Sequence, residues 1–417
     1  MEIGRARLVR PESAKRLSGW VLCVFALVFP VLEGFSNAVV PVGTRLLGVA
    51  LACVWLAEVL VSRRIRIAAP VAIFALYLCW NALSVVWSYD PEASVQRVLE
   101  LGQVFLLYWI VVDVARSVAS IRRVALSYVC GVLGLGISAV VNIASGTTYS
   151  GYFGRFSAMG TDPNNFGVML VSSIPLALAA APRGWFWRCL TAGYVACAAL
   201  MVLATGSRGS LVALLVVVLG YSVLQLRARR SALRNLIVVV LAVSSVLYFA
   251  PDIVPRGALD RLSTGFSEHD AGGRVAAWKL ALTLGETHAV GGVGAGAFYP
   301  TSRRFLPVGM RAHNTFLEAF AEVGLPGLLL FVLLWAWHVG LVWPRPHTAL
   351  QFGILLSMLA IMVGSLSLNW VVRKPVYLMW GLAVAYALSK PHRVAGKNAA
   401  PEEIPPDQED GLRQAFS

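Results

Sequence analysis

The sequence predicts an all-α polytopic membrane protein with about 12 transmembrane helices, and three observations lead there. Of 417 residues 58% are hydrophobic and only 13% charged, and the mean hydropathy is +0.71, beyond the balance of a soluble domain. The apolar residues gather in stretches of about 20, the length that crosses a bilayer core as a helix. The basic residues alternate between connections, with 22 of the 35 Lys and Arg on the side of the N-terminus and 13 opposite. By the positive-inside rule this asymmetry puts both termini in the cytoplasm and the longest connection outside. Net charge of +14 therefore reads as topology, and nucleic acid is not an expected partner.

Helices are expected near residues 17–34, 42–61, 68–88, 97–115, 121–144, 164–182, 185–205, 209–226, 234–251, 313–339, 347–368 and 374–390. The chain so divides into residues 1–250 with helices one to nine, a periplasmic segment 251–312 holding a short amphipathic helix, helices ten to twelve over 313–390, and a cytoplasmic tail 391–417. Prolines and mixed charge predict disorder in that tail. Five basic residues among the first sixteen also fit the start of a signal peptide. No small-residue cleavage pattern follows Pro30 and Glu33, so the first helix is expected to be retained.

The first half of the chain contains few chemically pointed residues. Cys23, Cys53, Cys79, Cys130, Cys189 and Cys197 fall in predicted helices, show no disulfide or metal spacing, and read as small core residues. Glu58 and Asn81 read as helix-to-helix hydrogen bonding or snorkelling. The stretch Ser88 to Arg97 reads as a turn into the fourth helix. Between Thr147 and Gly167, Arg155 precedes Asp162-Pro163-Asn164-Asn165. A turn and a helix start explain Asp162 and Pro163, while amides at such a start also form an anion site to which Arg155 adds charge.

Downstream the polar residues thicken. Arg208 lies in a two-glycine turn, ATGSRGS, where backbone approaches a ligand closely or where a guanidinium reaches lipid phosphates. Ala271 to His288 reads as an amphipathic helix with Val275, Trp278 and Leu282 on one face. Arg274 sits in its first turn, where the helix dipole disfavours a cation unless an anion is also there. GGVGAGAF, Gly291 to Phe298, has the glycines of a dinucleotide site without a preceding strand, and reads as a flexible turn or phosphate nest. Arg303, Arg304 and Arg311 lead to His313 and Asn314, which open the tenth helix, and Glu318 and Glu322 follow on one stripe.

The motifs exclude several chemistries. There is no serine elbow, no HExxH or CxxC, and no P-loop. Glu268-His269-Asp270 reads as a solvated loop, because adjacent side chains point apart. No metal and no cofactor is expected, and any energy comes from a gradient or from the substrate. Arginine forks suit phosphate oxygens, and histidine takes a proton near neutral pH. Together they suit group transfer from a lipid diphosphate, although Arg outnumbers Lys 30 to 5 throughout.

DPNNFG, GSRGS, GGRVAAW, GGVGAGAF and an HN opening a helix that leads to Glu322-Val-Gly324 occur in this order. In this the chain resembles the O-antigen ligase and O-antigen polymerase superfamily of bacterial integral membrane glycosyltransferases. The resemblance implies a glycan on undecaprenyl pyrophosphate as donor, bound at the periplasmic face of the inner membrane. It also implies that Arg208 and Arg274 hold the pyrophosphate and that His313 activates or positions the acceptor hydroxyl, without metal or nucleotide. Arg155, Asn164, Asn165, Trp278, Arg303, Arg304, Arg311 and Asn314 are candidate substrate-binding residues. The first expectation is a ligase acting on lipid A core in lipopolysaccharide biosynthesis. The alternatives are a polymerase extending a growing glycan and a transporter or flippase for the same lipid, against which the sparse intramembrane charge argues.

Overall fold

The computed structural model describes residues 16–34, 41–146, 155–158, 160–227, 268–343 and 348–389. Among them the regular elements are all helical. In chain order they are α1 (Arg16–Gly34), α2 (Pro41–Ser62), α3 (Ala69–Leu83) with a 3-10 turn at Ser84–Trp87, α4 (Pro91–Val114), α5 (Val118–Ala144), α6 (Pro163–Ala180), α7 (Trp185–Ala204) and α8 (Arg208–Arg227). After the undescribed stretch come α9 (Glu268–Thr287), α10 (Phe298–Phe305), α11 (Thr315–Val342), α12 (Ala349–Ser365) and α13 (Lys374–Ser389). Seven of these, α2 to α7 and α11, are long and apolar enough to cross a membrane, and α1, α8 and α12 are shorter apolar helices. The helix expected at 234–251, the expected tail, and the part of the expected periplasmic segment before Glu268 lie outside the described residues.

The bundle is built around α6 and α13, which are buried along nearly their whole length. α12 packs between α6 and α8, α1 lies on α5, and α13 lies on α4. Aromatic rings fill the centre: Phe74 stacks on Tyr377 at 5.0 Å, and Trp380 stacks on His338 at 4.6 Å. His338 is fully buried, with Nε2 2.9 Å from the Tyr108 hydroxyl and Nδ1 2.6 Å from the Leu334 carbonyl oxygen. That is a core histidine with both nitrogens satisfied.

Three expectations need correction. Ser88 to Arg97 is not simply a turn, because α4 begins at Pro91, six residues before the expected start. Asp90 caps it by accepting from the Ala93 N–H at 3.0 Å, and Pro91 occupies the first turn, where its missing N–H costs nothing. Residues 313–339 are not one unbroken helix either. At Gly324 the backbone takes φ 66° and ψ −171°, and the chain resumes as helix through Pro326. The Val323 carbonyl, freed by this break, accepts from Trp80 Nε1 at 2.8 Å, and the Leu325 N–H donates to the Ala289 carbonyl at 2.7 Å. Finally, the cysteines are not core residues: Cys53, Cys79, Cys130, Cys189 and Cys197 are exposed and Cys23 is half-buried. In a bilayer the outer face of a helix is also apolar, so an apolar side chain carries no instruction to face inward. Glu58, by contrast, makes the expected bond between helices, accepting from the Ser18 N–H at 3.0 Å and its hydroxyl at 2.6 Å.

Candidate functional site around His313

His313 closes the connection into α11 with φ 48°, a left-handed conformation that few side chains adopt and histidine tolerates better than most. The neighbouring peptides hold it there. The Ala312 N–H donates to Glu318 Oε2 at 3.1 Å, and the Ala312 carbonyl accepts from Trp278 Nε1 at 2.8 Å. On the other side Asn314 caps α11, its Oδ1 accepting from the N–H groups of Phe316 at 3.0 Å and Leu317 at 3.2 Å. The ring is half-buried. Burial lowers its pKa below the ordinary histidine value, and the Arg274 cation lowers it further; Asp162 and Glu318 oppose the shift. At neutral pH the imidazole is therefore uncharged and able to accept a proton.

Glu318 is itself part of a buried ionic group. Arg97, 5% exposed, reaches Glu322 at 3.2 Å, Glu318 at 3.6 Å and Glu100 at 3.9 Å. Arg311 adds a second cation to Glu318 at 3.2 Å and lies over the Tyr299 ring at 5.9 Å. The i, i+4 spacing puts Glu318 and Glu322 on one face of α11, and the early start of α4 brings Arg97 opposite them. Buried carboxylates need such a partner, since an unpaired charge away from water is costly.

The glycine run 291–298 is neither a flexible turn nor an open nest. Gly292, Gly294 and Gly296 all have positive φ, and the amides of this run are taken up by protein. Val293 and Gly294 donate to the α11 carbonyls of Ala321 and Glu322 at 2.9 and 2.8 Å, and Ala295 donates to Ser84 Oγ at 3.0 Å. A Cβ at Gly296 would stand 2.7 Å from the Ala93 carbonyl oxygen and 2.8 Å from Arg97 Cβ. The glycines thus let α4 and α11 close around the ionic group.

The start of α6 is likewise occupied. Asp162 Oδ1 accepts from the N–H groups of Asn164 at 2.9 Å and Asn165 at 3.1 Å, so no anion is needed there. Arg155 is 1% exposed and donates to the Thr205 carbonyl at 2.7 Å and to Asn164 Oδ1 at 2.9 Å, which ties the turn before Arg208 to α6. Asn165 Oδ1 accepts from Trp370 Nε1 at 2.8 Å. Trp370 in turn donates its N–H to Thr315 Oγ1 at 2.9 Å, and Thr315 donates to the Leu368 carbonyl at 2.6 Å. The connection from α12 to α13 is so latched to the residues beside His313.

A cavity of about 800 Å³ opens at this end of the bundle. Its polar lining includes His313, Asp162, Asn165, Arg311, Arg97, Glu100 and Asn369, together with Thr44 and Arg45 on α2 and Arg373 and Lys374 at the start of α13. Below, apolar residues of α1, α2 and α4, among them Phe25, Leu51, Leu107 and Ile110, continue it toward the middle of the bundle.

Of the residues singled out in the sequence, His313, Asn165 and Arg311 line this cavity. Arg274 and Arg208 are half-buried and are not among its lining residues. Arg274 acts on His313 electrostatically, and Arg208 opens α8 beside the Ser210 hydroxyl, which donates to the Asn164 carbonyl at 3.4 Å. Asn164, Trp278 and Asn314 have side-chain partners within the protein. Arg303 and Arg304 are exposed on α10, and neither is among the lining residues. Among the described residues no cluster of three His, Cys, Asp or Glu is arranged to hold a metal; the side chains of Glu268, His269 and Asp270 lie outside them. Sequence reasoning missed Arg97, Glu100, Arg45, Asn369, Arg373 and Lys374. A signal was present, since Arg45, Arg97, Arg373 and Lys374 stand on the side that the positive-inside rule leaves poor in cations.

Residues 193–332 match the family model described as O-antigen ligase, a third of the chain that includes Arg208, Arg274, His313 and Glu322. The resemblance drawn from the motifs holds over this stretch. No curated protein matches the chain.

Proposed function

We propose that this multi-pass membrane protein, similar over residues 193–332 to the O-antigen ligase family, transfers a glycan from undecaprenyl pyrophosphate to an acceptor hydroxyl on lipid A core, at the periplasmic face of the inner membrane. The observation that carries the reading is the cavity itself: an uncharged histidine at a polar end, with an apolar trough running down the helices below it. Such a shape fits a substrate whose reactive head is polar and whose tail is lipid.

In this reading His313 accepts the proton of the acceptor hydroxyl as its oxygen bonds to the anomeric carbon. The bond from that carbon to the phosphate oxygen breaks, and its electron pair leaves with the diphosphate. Arg208 and Arg274 stabilise the charge growing on that group. The αL backbone at His313, a conformation that costs on the order of 1–3 kcal/mol for residues other than glycine, is held by Trp278 and Glu318 so that the ring is already placed.

Reconstitution in vesicles with a lipid-linked glycan and lipid A core tests this. Glycan on the core supports the reading. Lengthened lipid-linked glycan instead means a polymerase, and unchanged glycan moved to the other leaflet means a transporter.

A further inference from the structure

We infer that Arg45, Arg373 and Lys374 form a second anion-binding set, separate from Arg208 and Arg274, that holds the phosphate of the acceptor glycolipid while its acyl chains lie against α1, α2 and α4. The inference rests on the transferase reading above and assigns the acceptor's place within it.

Four observations carry it. Arg45, Arg373 and Lys374 all line the cavity that His313 lines, whereas Arg208 and Arg274 do not. His313 thus shares its cavity with these cations, while Arg274 acts on it without lining that cavity. Second, Arg97 on the cavity wall is engaged by Glu318 and Glu322, and Arg311 by Glu318. Among the described residues no ion pair engages Arg45 or Arg373. Third, the wall beneath these cations is apolar, including Leu51 on α2 and Leu107 and Ile110 on α4, as acyl chains require. Fourth, Asn369, which precedes them on the same connection and lines the cavity, has a buried Oδ1 without a partner. A sugar hydroxyl next to the lipid phosphate would satisfy it.

The chemistry explains the division. In a displacement at the anomeric carbon, the incoming hydroxyl and the departing diphosphate occupy opposite faces of that carbon. One set of cations cannot hold both lipids, so a base between them needs an anion site on each side. The latch from Trp370 to Thr315 and Asn165 fixes the connection carrying Asn369 and Arg373 relative to His313.

The test uses purified full-length protein and two acceptors, one glycolipid with its phosphate and the same glycolipid dephosphorylated. Binding of each is measured without donor, and transfer is measured with donor in excess. Wild type should prefer the phosphorylated acceptor, and Arg45→Gln/Arg373→Gln should lose about tenfold or more of that affinity, a factor that ~1.4 kcal/mol carries. The variant should bind the dephosphorylated acceptor as before and keep the donor KM, and Arg373→Lys should recover part of the preference. Equal binding of both acceptors by wild type would overturn the inference, as would a variant in which only the donor KM rises. Should wild type bind the phosphorylated lipid selectively yet transfer nothing, the transferase reading fails, and the assignment of this set to an acceptor fails with it.

Discussion

His313 combines a left-handed backbone, a half-buried ring and a neighbouring cation, and each has a measurable consequence. Because burial and Arg274 both lower its pKa, activity that needs the neutral ring should persist at neutral pH and fall only below the ordinary histidine value of about 6.5. Arg274→Gln removes a charge that opposes protonation, so the acid limb of the pH–rate profile should move to higher pH. An unmoved limb would detach His313 from the rate. His313→Ala should lower turnover by about 10² to 10⁴ while donor binding survives; near-normal turnover would end its assignment as base. Arg97 is a different case, since it touches carboxylates on two helices. Arg97→Met leaves Glu322 buried without a cation and Glu318 with Arg311 alone, and losing one partner of such a buried pair costs about 3–5 kcal/mol. Thermal unfolding in detergent should show that loss, and Arg303→Met, at an exposed position, should not.

Among the elements, α11 shows how a break serves the site. The segment before Gly324 carries Glu318 and Glu322, and the segment after it runs on as a membrane helix. At Gly324 a side chain would press into the Val290 carbonyl oxygen, and φ is 66°. Gly324→Ala should therefore reduce the yield of folded protein. Gly340→Ala in the same helix should not, because nothing lies within 4 Å of the added methyl; alanine even favours a helix interior over glycine. Equal yields of the two variants, judged by size-exclusion monodispersity, would remove the strain argument. The sequence predicted one helix through this region, residues 313–339. Which residue turns the chain was not legible, because the demand comes from the packing of residues 289–290.

For the whole molecule, α2, α4, α6, α8, α11 and α13 all begin at the end where the cavity opens, so six helix N-termini converge there. Asp90 and Asp162 already cap α4 and α6, so the positive potential toward an anionic substrate head comes chiefly from the cations that line the cavity. If this end faces the periplasm, a cysteine at Glu286, in a background without the native six, should react with an impermeant maleimide added outside. A cysteine at Arg183, at the opposite end, should react only after permeabilisation. The reverse pattern would invert the topology. The same charge distribution should make transfer independent of divalent metal. Activity lost on exhaustive chelation and restored by magnesium or calcium would refute a site that relies on arginine alone.

By itself the sequence determined the membrane class, the positions of most helices, and the family resemblance, because hydropathy and short ordered motifs are local properties of the chain. It also marked His313, whose place before a helix with two glutamates on one face is readable by eye. Only the tertiary structure decided which cations meet carboxylates and which line the cavity. Arg97 lies in a stretch that reads as a turn, and it becomes the partner of Glu318 and Glu322 across more than two hundred residues. Arg303 and Arg304 read as strongly as Arg311, yet they stay on the surface of α10. In a chain with 30 arginines, identity says little about role. The role depends on which carboxylates and cavity walls the helices bring within a few ångströms, and that distance is set by packing between segments far apart in the sequence.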